Sequence, residues 1–177
     1  MIEACVGGRR RVSWHSLLLA VFLAAPALAR PPEPAPPLGD LQERARTVVA
    51  AVRKNDPSLA NPFFYPREEF AAVKAIKDPL KYFDYLLAVY HKDIRSIREK
   101  LTAPEKVEFV RLEVSRGRNF IERGKEANKA PYYAIYRSRL VLRDEGVERV
   151  FTIRVLISWK GQWFVTHALR KTMNEKF

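Results

Sequence analysis

Two histidines, a group of tyrosines and a scatter of carboxylates are the residues from Asp40 onward whose types could do chemistry. His167 lies in an alternating segment, Gln162 to Arg170, and Tyr136 lies in another, Tyr132 to Arg143. Two strands can bring such an imidazole and phenol to one surface, giving a general base and an oxyanion donor. A lone strand histidine is more often a hydrogen-bonded structural residue, and its neighbours do not select the catalytic role. His91 sits between Tyr90 and Lys92 on a charged helix side, where solvation is expected. Tyr82, Tyr85, Tyr90, Tyr132, Tyr133 and Tyr136 form the one unusual enrichment. They read either as packing between helix and sheet or as walls of an aromatic pocket for an apolar ligand.

Several chemistries are excluded. The only cysteine is Cys5, ahead of the domain, so no thiol nucleophile, thiolate metal site or disulfide is expected in it. Two separated histidines and no carboxylate cluster at ligand spacing argue against a metal. No serine or threonine stands in a nucleophile elbow, and the seven glycines form no phosphate loop. No cofactor is expected.

The elements that must position these residues follow from periodicity. Asp40 and Glu43 have the spacing of a capping box, and Leu41, Ala45, Val48 and Val52 share one face of the helix that follows. Asn55-Asp56-Pro57 ends it, and Asn61 to Pro66 reads as an aromatic loop. Pro66 opens a short helix with Glu68 and Glu69 near its positive end. Asp78-Pro79 starts a long helix with one apolar stripe, Leu80, Phe83, Leu87, Tyr90, Ile94, Ile97 and Leu101. After Pro104 the period becomes two. Val107 to Val114 is a strand candidate, and Arg116 to Lys129 is a polar break without assignment. Tyr132 to Arg143, Val147 to Trp159 and Gln162 to Arg170 are strands joined by turns at Asp144-Glu145-Gly146 and Lys160-Gly161. The last is apolar on both sides, which predicts a central strand in a curved sheet or one covered on both faces. The order predicts an α+β fold, N-terminal helices packed on a curved C-terminal antiparallel sheet, as a single domain over residues 40–177.

Upstream, Arg9-Arg10-Arg11, the apolar run Leu17 to Ala25, Pro26 and Ala27-Leu28-Ala29 have the order of a cleavable secretory signal over residues 1–29. The 13 residues from Leu17 to Ala29 are short for a spanning helix, so no transmembrane helix is expected after processing. No cysteine follows the run, which argues against a lipoprotein, and Val12-Ser13-Trp14 fits twin-arginine export poorly. The expected location is periplasmic or secreted, through general secretion. Cleavage would leave 148 residues and lower the net charge from +12 to +10. Residues 30–39, with Pro31-Pro32-Glu33-Pro34-Ala35-Pro36-Pro37, read as a polyproline-like spacer. The basic balance suits either a solvated surface or an anionic partner, and outside the cytoplasm nucleic acid is not the expected one. Arg137, Arg139 and Arg143 on one strand side, with Arg154 on the next strand, form a candidate surface for an envelope protein or anionic envelope polymer.

The hairpin Leu156-Ile157-Ser158-Trp159-Lys160-Gly161-Gln162-Trp163-Phe164-Val165-Thr166-His167, after aromatic-rich helices, resembles the closing strand pair of the nuclear transport factor 2-like superfamily. The resemblance spans about Asp40 to Arg170 and implies a cone of helices wrapped by a bent sheet. It implies a pocket between the two layers, here lined by Tyr82, Phe83, Tyr132, Tyr136, Trp159 and Trp163. It also implies a carboxylate or His–Asp pair in that pocket wherever a member is an enzyme. The weak catalytic candidates are then His167, Tyr136 and Asp84, with Glu108 or Glu113 as further carboxylates. The superfamily includes isomerases, dehydratases and members without catalysis, so fold alone does not choose. The expectation is a non-enzymatic exported module engaging an apolar ligand or a protein partner; the alternative is an isomerase- or dehydratase-like enzyme. A homodimer through the arginine-bearing sheet face is a further expectation.

Overall fold

A computed structural model describes residues 33–169, with side chains through Thr166. The leader at residues 1–29, the first residues of the linker and the tail from residue 170 lie outside the described residues. Helix α1 spans Leu41–Lys54 and buries Leu41, Ala45, Val48, Val49, Ala51 and Val52. It starts where the sequence predicts, but the capping box does not form. Asp40 sits at φ −81, ψ 13 rather than extended, and its carboxylate accepts from Arg44 Nε at 3.1 Å instead. Asn55 closes the helix in the left-handed region at φ 53. Only the first half of the predicted aromatic loop, Asn61 to Phe63, is helical, as the end of a 3-10 helix, Pro57–Phe63, opened by Asp56, whose side chain accepts from Ser58 N. Phe63, Phe64 and Tyr65 are all buried there.

Helix α2, Arg67–Val73, follows Pro66. Helix α3, Pro79–Glu99, is capped by the Asp78 side chain, which accepts from Lys81 N at 3.0 Å. Its predicted stripe holds from Phe83 onward through Tyr90, Ile94 and Ile97. Leu80 instead lies at the rim, 36 % exposed, and Leu86 joins the buried face. A 3.6-residue repeat drifts around the helix, so a strict three-four ladder does not stay under one layer over six turns.

The sheet contains β1 (Glu108–Glu113), β2 (Asn119–Ile121), β3 (Tyr132–Asp144), β4 (Val147–Trp159) and β5 (Gln162–Leu169). All pairings are antiparallel, in the order β1-β3-β4-β5, with β2 on the same edge of β3 as β1. The two hairpin turns place Glu145 and Gly146 at φ 48 and 79, and Lys160 and Gly161 at φ 47 and 78. Both-positive turns match the strand twist, and glycine at the second position adopts them without a Cβ penalty. Register slips between Phe109 and Arg111 against β3, and between Val155 and Leu156 against β5. Such bulges bend the strands, and the sheet curls into a half-barrel over the helices.

β5 is an edge strand, not a central one; its double apolar character comes from cover on both faces. Phe64 bridges Val165 in parallel, and Tyr65 N donates to Val165 O at 3.1 Å. The proline-rich tract supplies more of the cover. Residues 33–38 are a docked strap rather than a spacer. Trp163 Nε1 donates to Pro36 O and Pro37 O at 3.2 and 3.1 Å, and Tyr133 Oη donates to Glu33 O at 2.5 Å. Ala35 and Leu38 pack on the core. Prolines preset an extended backbone and keep their carbonyls free as acceptors, which suits an indole N–H buried beneath them.

Candidate functional site

A pocket of about 220 Å³ opens between the α2–α3 helices and strands β3–β5. Its apolar walls are Phe70 of α2, Tyr82 and Leu86 of α3, and Val155 and Ile157 of β4. Its polar lining is Lys74, Glu126, Tyr132, Tyr136, Arg154 and Thr166.

Glu126 comes from the polar segment between β2 and β3, and that segment is held in place residue by residue. Asn128, 1 % exposed, donates to Glu122 O at 3.0 Å and Ala130 O at 2.8 Å and accepts from Glu126 N at 3.0 Å. The backbone is tied to the end of α2 by Ala75 N to Ala127 O at 2.7 Å and Lys129 N to Val73 O at 2.6 Å. Ala127 takes φ 50 to make the turn. The carboxylate is thereby presented to the sheet.

Both carboxylate oxygens are occupied. Tyr132 Oη donates to Glu126 Oε2 at 2.5 Å, and Tyr136 Oη donates to Oε1 at 3.1 Å. Lys74 Nζ donates to Glu126 O at 3.2 Å and to Tyr132 Oη at 3.4 Å, and lies 5.3 Å from the Tyr132 ring centroid. Burial raises the ionisation of both phenols above the ordinary tyrosine range, and the adjoining Glu126 charge adds to it. Burial lowers the Lys74 ammonium from its usual value, with Glu126 opposing that shift. The phenols therefore stay protonated and donate to the carboxylate.

Of the pocket residues expected from sequence, Tyr82, Tyr132 and Tyr136 line it, and Phe83, Trp159 and Trp163 do not. Phe83 is buried, edge-on to Phe64 and Phe70 at 5.5 and 5.6 Å. Trp159 donates to Glu69 Oε2 at 2.6 Å, drawn to the helix start by its indole N–H. Trp163 lies under the strap. Asp84 does not face the pocket; it is exposed and paired with Arg67 at 3.2 Å. His91 bonds Asn61 across 2.7 Å on the surface. Glu108 and Glu113 lie on the sheet's outer ladder, against Arg143 at 3.6 Å and Arg139 at 3.1 Å. The His167 backbone pairs opposite Val155, and its side chain lies outside the described residues.

The four-arginine surface divides. Arg139 and Arg143 are engaged by Glu113, Glu108 and Glu148, whereas Arg154 lines the pocket. Sequence reasoning missed Glu126 and Lys74. No periodicity marks Glu126 apart from the neighbouring Glu122, and Lys74 lies just beyond the last turn of α2, where no pattern extends. Among the described residues no group of three His, Cys, Asp or Glu could hold a metal ion, and no helix is long and apolar enough to cross a membrane. No protein-family model, curated protein or solved structure matches the chain.

Proposed function

We propose that this chain is an exported, non-enzymatic binding module that holds a small, largely apolar ligand in the pocket between its helices and its sheet. The observation that carries this reading is the mutual satisfaction of Glu126, Tyr132 and Tyr136. Each Glu126 oxygen accepts a bond from a phenol of the pocket wall, so the carboxylate stands as part of the wall's own network. With Tyr132 buried and Glu126 and Tyr136 exposed at the rim, this network braces one side of the pocket. The leader-like sequence and the kinship with the nuclear transport factor 2-like superfamily belong to the same proposal. They rest on the hairpin, the helices-then-sheet order and the zoned N-terminus.

Native mass spectrometry of the secreted protein tests the whole reading. The expected species starts at Arg30 and carries a small non-covalent ligand, which Leu86→Trp removes by filling the pocket. A mature chain retaining residues 1–29, or one whose ligand survives Leu86→Trp, would overturn the corresponding half.

The isomerase- or dehydratase-like reading keeps one point in its favour. Tyr136 stands within hydrogen-bond reach of a pocket carboxylate. Turnover of a small carbonyl compound by the wild type, lost in Glu126→Gln, would replace the binding reading with the enzymatic one.

A further inference from the structure

Two arginines beside the pocket are left out of the sheet's charge pairing. The pairs Tyr136↔Val155 and Ser138↔Ile153 bracket Arg137 of β3 and Arg154 of β4, which brings the two arginines to neighbouring places on adjacent strands. Like charges so placed repel one another. Neither guanidinium has an ion pair or side-chain hydrogen bond among the described residues. Further along the same strands the pattern reverses. Arg139 meets Glu113 at 3.1 Å, Arg143 meets Glu108 at 3.6 Å and Arg149 meets Asp144 at 3.8 Å. Acids pair with the arginines of the distal sheet, whereas the pocket acid, Glu126, is engaged by Tyr132 and Tyr136 rather than by Arg137 or Arg154. Arg137 also holds φ +60, a left-handed conformation that strains a residue with a Cβ. Two neighbouring like charges are an arrangement that a bound anion relieves.

The pocket itself supplies the second half. Lys74 and Arg154 line it as cations against Glu126, whose oxygens are taken by Tyr132 and Tyr136. The balance leaves one positive charge uncompensated beside apolar walls. A guanidinium presents parallel N–H donors that match a carboxylate in a fork. We propose that the pocket takes a small amphipathic carboxylate, its head held by Arg154 within the field of Arg137 and its carbon chain laid against Phe70, Leu86 and Ile157. This rests on the binding reading above and adds the ligand's chemical class. A volume of 220 Å³ equals that of about seven waters in the liquid, so the chain is short.

Calorimetric titration of the purified full chain with hexanoate and with 1-hexanol tests it, because the two share a carbon skeleton and differ in charge. Hexanoate is expected to bind about tenfold or more tightly, with the preference shrinking as salt is raised. Arg154→Gln is expected to bring hexanoate down to the level of hexanol, while Arg139→Gln, on the paired part of the sheet, leaves the preference intact. Arg154 is exposed and has no ion-pair or hydrogen-bond partner among the described residues, so an unchanged unfolding midpoint is expected for its variant. Equal affinities for acid and alcohol, or a preference that survives Arg154→Gln, would overturn the carboxylate inference and leave the pocket standing. Failure of both compounds to bind would bring down the pocket reading as well.

Discussion

Asn128 does for the pocket what no residue inside it can do. Its side chain makes two donor bonds and one acceptor bond within its own segment, and the Glu126 carboxylate reaches the tyrosines because that segment cannot open. Replacing it with alanine takes the partner from Glu126 N and from the Ala130 carbonyl in a part-buried setting, while Glu122 O keeps its bond from Lys125 N. Asn128→Ala is therefore expected to lower stability by about 1–3 kcal/mol in urea unfolding, and to weaken ligand binding as Glu126 drifts. Asn128→Asp keeps the acceptor but loses both donors, so it should fall between. An alanine variant with wild-type stability and affinity would mean that backbone ties alone hold the loop. The asparagine lies in a stretch whose residues alternate without period, so nothing in the sequence marks it as the pivot of the site.

At the scale of elements, periodicity carried far and cover did not. β4 spans the residues that alternation assigns to it, and α3 begins at the Asp-Pro pair, because strand pleat and helix capping are local properties. What lay on the second face of β5 depended on a proline tract 126 residues away in sequence. No local pattern encodes such a contact. The strap makes its own prediction. Removing residues 33–37 strips Trp163 of both its carbonyl acceptors and of its cover. The variant should show increased acrylamide quenching of tryptophan fluorescence and a loss of about 1 kcal/mol or more in stability. Trp163→Phe, which removes only the indole N–H and part of the ring, should cost less than the deletion. Unchanged quenching would place the tract in solvent. Half of the expected pocket was legible for a related reason: Tyr82, Tyr132 and Tyr136 follow from which face of an element they occupy. Glu126 and Lys74 depend on how a loop folds back on α2.

Across the whole molecule, buried phenols set a limit on the alkaline side. Tyr65, Tyr90, Tyr132 and Tyr136 all ionise above the ordinary tyrosine value of 10.0, with desolvation as the leading cause in each case. An unfolded chain releases those protons near pH 10 while the folded chain keeps them, so the folded state binds more protons and stability falls as pH rises past that point. Absorbance at 295 nm should show four of the seven tyrosines titrating late and together with loss of structure. Independent early titration of all seven would contradict the packing. The strap also bears on how the molecule is completed. The indole that seats it belongs to β5, 126 residues downstream, so a ribosome must deliver that whole stretch before these prolines have anywhere to settle. Until then this tract stays unfastened, so its docking is one of the last long-range contacts the growing chain can make.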